Sequence, residues 1–119
     1  MFMIPAPVME QPAKPSEAQK IETILRVLEN LKEAQFIRNG SAYNATEAGA
    51  HLRMKWKYAG YAVKTVPDFI RLCGSGSSMS GKPYLIRYKG GHEVKASDFL
   101  WTELKKLEEK KEDEKGPKS

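Results

Sequence analysis

Apolar residues recur at steps of three and four from Ile21 through Ile24, Leu25, Leu28 and Leu31, which predicts an amphipathic helix with one buried stripe, ending near Ala34. Ser16-Glu17-Ala18-Gln19 stands immediately before it as a capping box. The pattern then shortens to Phe36-Ile37-Arg38-Asn39-Gly40-Ser41-Ala42-Tyr43, where Asn-Gly between apolar runs predicts a β-hairpin with a type I′ turn. Asn44 or Thr46 caps a second helix, whose expected stripe is Ala48, Leu52, Trp56 and Ala59 and whose expected stop is Gly60. Thr65-Val66-Pro67-Asp68 opens a third, shorter helix, with Val66, Phe69, Ile70 and Cys73 on one face and Gly74 as its end. Gly74 to Pro83 is a loop by composition. Tyr84–Tyr88 and His92–Lys95 flank the turn Lys89-Gly90-Gly91 as a second hairpin. Ser97 is expected to cap a last helix carrying Phe99, Leu100, Trp101, Leu104 and Leu107.

The order is α-ββ-α-α-ββ-α. It predicts an α+β fold: a small antiparallel sheet made from two hairpins, with helices packed on one face. A weak internal echo, Gly40–Glu47 against Gly91–Asp98, reads as shared hairpin-to-helix grammar. The expected organisation is a flexible Pro/Ala-rich leader over residues 1–15, one domain over 16–108, and a charged, disordered tail over 109–119. The leader does not read as a secretory signal, because it has no basic start and Pro5 and Pro7 interrupt its apolar run.

Composition narrows the function classes. The 119 residues, 40% hydrophobic and 29% charged, suit one globular domain. No apolar run reaches the roughly 18 residues of a membrane helix. One cysteine, Cys73, excludes an internal disulfide, and its helical position makes it a small buried hydrophobe. Two distant histidines and that cysteine predict no metal site, and no cofactor is expected. The net charge of +5 is concentrated: from Arg38 to Lys95, ten basic residues against three acidic ones leave +7. Such a stretch favours acidic partners.

Three motifs invite a function. Gly76 to Lys82 has the G-x-x-x-x-G-K skeleton of a phosphate-binding loop, but Pro83 replaces the metal-holding Ser or Thr, and the loop leads into a strand instead of a helix. What remains is a Gly/Ser loop able to hold an anion. Ser80, His51 and Glu47 supply the residue types of a hydrolytic triad, with no spacing that demands one. Arg53-Met54-Lys55-Trp56-Lys57-Tyr58 mixes bases and aromatics as nucleic-acid binders do, but on a helix these residues do not share one face. Tyr84, Ile86 and Tyr88 alternate onto one strand face, expected to be core.

Phe36-x-Arg38-Asn39-Gly40, Ala48–Leu52 with Lys55, Asp68-Phe69-Ile70 and Ser77-Ser78-Met79-Ser80-Gly81-Lys82-Pro83-Tyr84 resemble the bacterial domain-of-unknown-function family numbered 5329, over roughly residues 20 to 107. The resemblance carries over no catalytic residue. It implies a periplasmic or otherwise exported domain. It also implies, for some relatives, a cysteine pair at the places of Ala34 and Tyr88, which this chain lacks.

The preferred expectation is a non-enzymatic, monomeric envelope module that binds an anionic ligand or a protein partner through a basic surface. Its candidate residues are Arg38, Asn39, His51, Lys55, Ser78, Ser80, Gly81, Lys82 and Tyr84. A nucleic-acid-binding domain and a Ser80/His51 hydrolase are the alternatives; for the candidate residues themselves a purely structural role stands beside binding, in which the Arg38-Asn39-Gly40 turn and the Ser80–Tyr84 loop pin the two hairpins together, with Arg38 or Lys82 bonding backbone carbonyls of the other half.

Overall fold

The computed structural model describes residues 15–114, with side chains described through Glu109. Most of the expected leader and the last five residues of the expected tail lie outside that range. The elements are α1 (Glu17–Glu29), β1 (Gln35–Arg38), β2 (Ser41–Tyr43), α2 (Ala45–Ala59), α3 (Val66–Phe69), β3 (Leu85–Arg87), β4 (Glu93–Lys95) and α4 (Ala96–Glu114). A single 3-10 turn, Gly60–Ala62, follows α2, and a π-type turn, Ile70–Gly74, continues α3.

Three helices start at side chains that satisfy their own orphan amides. Ser16 with Gln19, Asn44 with Glu47, and Thr65 with Asp68 each form a complete capping box. Asn44, not Thr46, is therefore the cap of α2. The first helix stops at Glu29, short of Ala34, because Asn30 takes the C-cap and its amide group turns back to the carbonyl of Arg26 at 2.8 Å. At the other end, α4 starts at Ala96, so Ser97 lies within its first turn and not at its cap. The amide of Ala96 donates to the carbonyl of Tyr84 at 2.9 Å, which leads the chain straight from strand into helix. Downstream, α4 runs on to Glu114, through part of the stretch read as a tail; Glu and Lys are good helix formers.

The two hairpins form one sheet in the order β2-β1-β3-β4, with every neighbour antiparallel. The joining pair is β1 with β3, in the register Phe36↔Ile86. With Phe36↔Tyr43 and Ile86↔Val94, that register lays Tyr43, Phe36, Ile86 and Val94 in one row across all four strands. The row faces the helices: Phe36 and Ile86 are buried, and Tyr43 and Val94 pack against the core. The opposite face carries exposed Gln35, Ala42, Arg87 and Lys95 around half-buried Ile37 and Leu85. One step beyond Gln35↔Arg87, the register sets Ala34 opposite Tyr88, the two positions where the resemblance implies paired cysteines.

The core beneath the sheet gathers Ile21, Ile24, Leu25 and Leu28 from α1, Val66, Phe69, Ile70 and Cys73 from the α3 segment, and Leu100 and Leu104 from α4. Cys73 is a free, buried thiol, and burial raises its pKa. From α2, Leu52 alone of the expected stripe is fully buried. Trp56 is half-buried, edge-on to Phe69 with ring centroids 5.7 Å apart. The buried glycine of α2, Gly49, was not anticipated: a Cβ there would collide with the side chain of Glu29. Over it, Arg53 grips Glu29 at 2.9 and 3.0 Å and Glu22 at 2.6 Å, which raises the arginine's pKa. Arg53 thus ties α2 to α1 and is no part of a nucleic-acid stripe.

Candidate functional site

Between α2 and the β1–β2 hairpin lies a cavity of about 200 Å³. Leu28, Phe36, Ala48, Leu52 and Ala96 supply apolar wall; Arg38, Tyr43, Glu47, His51 and Tyr84 supply polar atoms. Strand alternation explains the arginine. Arg38 lies two residues after buried Phe36, so it emerges on the helix-covered face at the end of β1. There it donates to the Tyr43 hydroxyl at 3.1 Å, its guanidinium 5.0 Å from the ring centre. Among the described residues it has no carboxylate partner.

The opposite wall is backed by a chain of three polar groups. Lys55 Nζ donates to the Tyr84 hydroxyl at 3.0 Å and to the Gly76 carbonyl at 2.9 Å. The Tyr84 hydroxyl lies 3.0 Å from His51 Nε2. The phenol oxygen accepts from Lys55, and the tautomer of His51 decides which of the hydroxyl and Nε2 donates in the second bond. Burial foremost, then the cations Arg38 and Lys55, hold the imidazole's pKa below its usual 6.5 and favour its neutral form. Tyr84 itself is almost wholly buried, as expected for its strand face.

The remaining expected residues build something else. Asn39 has φ +53, the left-handed conformation the hairpin turn requires. Its amide group donates to Ser77 Oγ at 3.2 Å and its carbonyl accepts from Ser80 Oγ at 2.5 Å. Ser77 Oγ in turn receives the amides of Met79 and Ser80. The amide of Ser77 reaches the Lys82 carbonyl, that of Gly81 the Ser77 carbonyl, and that of Tyr84 the Ser75 carbonyl. Residues 75–84 are thus a closed, self-bonded loop clasped onto the first hairpin. Gly76 is obligatory there: a Cβ would sit 2.7 Å from the Lys82 carbonyl oxygen. Gly81, at φ +76, makes the turn back.

The nine candidates therefore divide. Arg38, His51 and Tyr84 line the cavity, Lys55 braces it from behind, and Asn39, Ser80 and Gly81 form the clasp. Ser78 and Lys82 are exposed on the loop. The hydrolytic triad is not assembled. Ser80 bonds Asn39, the Glu47 carboxylate bonds the Asn44 amide at 2.9 Å, and His51 bonds Tyr84. Sequence reasoning missed Ser77, the buried hub of the clasp, and Tyr43, the partner of Arg38. Nothing in residue type marks Ser77 among its neighbouring serines, whereas strand alternation was enough to put Tyr43 beside Arg38. No group of three or more His, Cys, Asp or Glu suited to a metal occurs among the described residues, and none of the described helices is long and apolar enough to cross a membrane.

The curated relative in Salmonella typhimurium, the uncharacterized protein YfeK, is 40% identical over 68 residues; the match covers 57% of this chain and 57% of the relative. The chain thus spans less than two thirds of that relative's length. No solved structure matches. The profile of the family of unknown function DUF5329 matches residues 15–108, which takes in both hairpins, the cavity and the clasp: the chain belongs to that family.

Proposed function

We propose that this domain is a non-enzymatic binding module whose cavity takes a small carboxylate with an apolar, ring-sized body. The observation that carries this reading is Arg38, an arginine held by a phenol and free of any carboxylate among the described residues, on an otherwise largely apolar cavity. Guanidinium matches a carboxylate as a fork. His51, its pKa lowered, adds no second full charge at neutral pH. The volume suits a ligand of benzene-ring size, since a cavity of about 150 Å³ admits benzene.

The test is titration of the ¹⁵N-labelled protein with phenylacetate and with its neutral amide. Phenylacetate is expected to shift the amides of Arg38, Tyr43, His51 and Leu52, and the amide analogue to bind at least about tenfold more weakly, as does phenylacetate to Arg38→Gln. Equal affinity of Arg38→Gln, or no shift at these positions, would overturn the reading. We also take the domain to act in the bacterial envelope; the support is the resemblance, whose members usually carry an export signal. Fractionation of cells expressing the full gene tests this.

A further inference from the structure

At the far end of α2 the surface changes character. Met54 and Tyr58, four residues apart, share one face of α2, and Tyr61 follows in the 3-10 turn just beyond the helix. Tyr58 is 79% exposed and Tyr61 93%; Met54 is 47% exposed. Tyr61 packs on almost nothing. The backbone puts it there: Gly60, at φ +55, ends the helix, and the 3-10 turn Gly60–Ala62 carries the ring outward.

The segment that carries these residues is basic. Lys57 and Lys64 flank the tyrosines, and from Ala48 to Pro67 the sequence holds no Asp or Glu. The bordering carboxylates are engaged elsewhere: Glu47 with the Asn44 amide, Asp68 with Arg71 and the amides of Lys64 and Thr65, Glu17 with Lys20 and the Val66 amide. Lys57 has no ion pair among the described residues, and Lys64 spends one hydrogen on the Tyr61 carbonyl at 3.2 Å.

We propose that the exposed Met54, Tyr58 and Tyr61, with Lys57 and Lys64, form a contact tip for the surface of an anionic lipid bilayer. Tyrosine suits that depth, since its ring is apolar and its hydroxyl stays with headgroups and water. The lysines meet the negative surface, each worth about fivefold in affinity. A protruding ring with no packed surroundings favours a soft headgroup layer over a shaped protein pocket, which works through packed, desolvated anchors. The tip lies on residues that do not line the Arg38 cavity.

The test is co-sedimentation with vesicles of phosphatidylglycerol and phosphatidylcholine in equal parts, and with vesicles of phosphatidylcholine alone. Binding is expected only to the anionic vesicles, and to weaken with salt. Lys57→Gln with Lys64→Gln is expected to lower it roughly thirtyfold. Tyr58→Ser with Tyr61→Ser is expected to remove it while the thermal midpoint stays unchanged, both rings being exposed. Arg38→Gln is expected to bind vesicles as the parent does. No sedimentation with anionic vesicles, or undiminished binding of the tyrosine pair variant, would overturn the proposal. So would single-stranded oligonucleotide binding through the two tyrosines in place of lipid.

Discussion

Tyr84 joins two halves of the molecule through its hydroxyl and its backbone carbonyl. Its hydroxyl accepts from Lys55 and faces His51, both on α2, while its backbone carbonyl receives the first amide of α4. Protonating His51 would bury part of a charge and place a third cation beside Arg38 and Lys55. The fold therefore binds that proton less readily than the unfolded chain does, and stability rises with pH where the two differ. The His51 contribution is complete above pH 6.5 and is lost as pH falls from there towards the lowered folded value. Asp68 works in a separate, lower window: its pKa is depressed below 3.8, chiefly by the Lys64 amide, so its contribution is lost only as pH falls through that region. We expect the thermal midpoint of the native protein to fall with acidification just below pH 6.5, and that of His51→Gln to fall less. Parallel profiles would contradict the neutral-histidine assignment. The residue types here were legible in the sequence, but their pairings were not. Lys55 and His51 share a helix four residues apart, yet nothing local shows that a tyrosine some thirty residues on enters between them.

At the scale of elements, local grammar carried most of the fold. The three capping boxes, the Asn39-Gly40 turn and the three-and-four spacing of α1 are all short-range signals, and each appears in the structure. The misplaced boundaries are those decided by tertiary contact: Asn30 stops α1 early, and the hydrogen bond from Ala96 to Tyr84 starts α4 early. The pairing of β1 with β3 is the clearest case, because no turn connects these strands and only their common burial sets the register. That register can be tested by a cross-link. Ala34→Cys with Tyr88→Cys should form a disulfide on mild oxidation, as cross-strand neighbours permit. The loop so closed gives up to about 4 kcal/mol against unfolding in the chain-entropy picture, less whatever the lost tyrosine packing costs. Cys73 is buried and should not compete. Thiol counting and mass spectrometry read the outcome; failure of the pair to close would contradict the register.

Over the whole molecule, the basic excess resolves into separate uses. Arg53 is spent on holding α1 to α2, Lys55 on bracing Tyr84 and the loop, and Arg87 on Glu93 across the second hairpin at 2.7 Å. Arg38 is left facing the cavity, and Lys57 and Lys64 are left at the tip of α2. A count of charges along the chain cannot separate these uses, because each depends on which carboxylate or carbonyl the fold brings near. The Gly/Ser loop shows the same effect: its serines bond Asn39 and the loop's own amides, so it serves as a clasp that fixes the hairpin from which Arg38 projects.

Whether the cavity beneath Arg38 holds a ligand is read from intermolecular nuclear Overhauser contacts in the phenylacetate-saturated protein. Contacts are expected from the ligand's ring protons to the side chains of Leu28, Phe36 and Leu52. Contacts confined to surface lysines, or none while the cavity side chains keep their free-protein signals, would contradict a ligand site there.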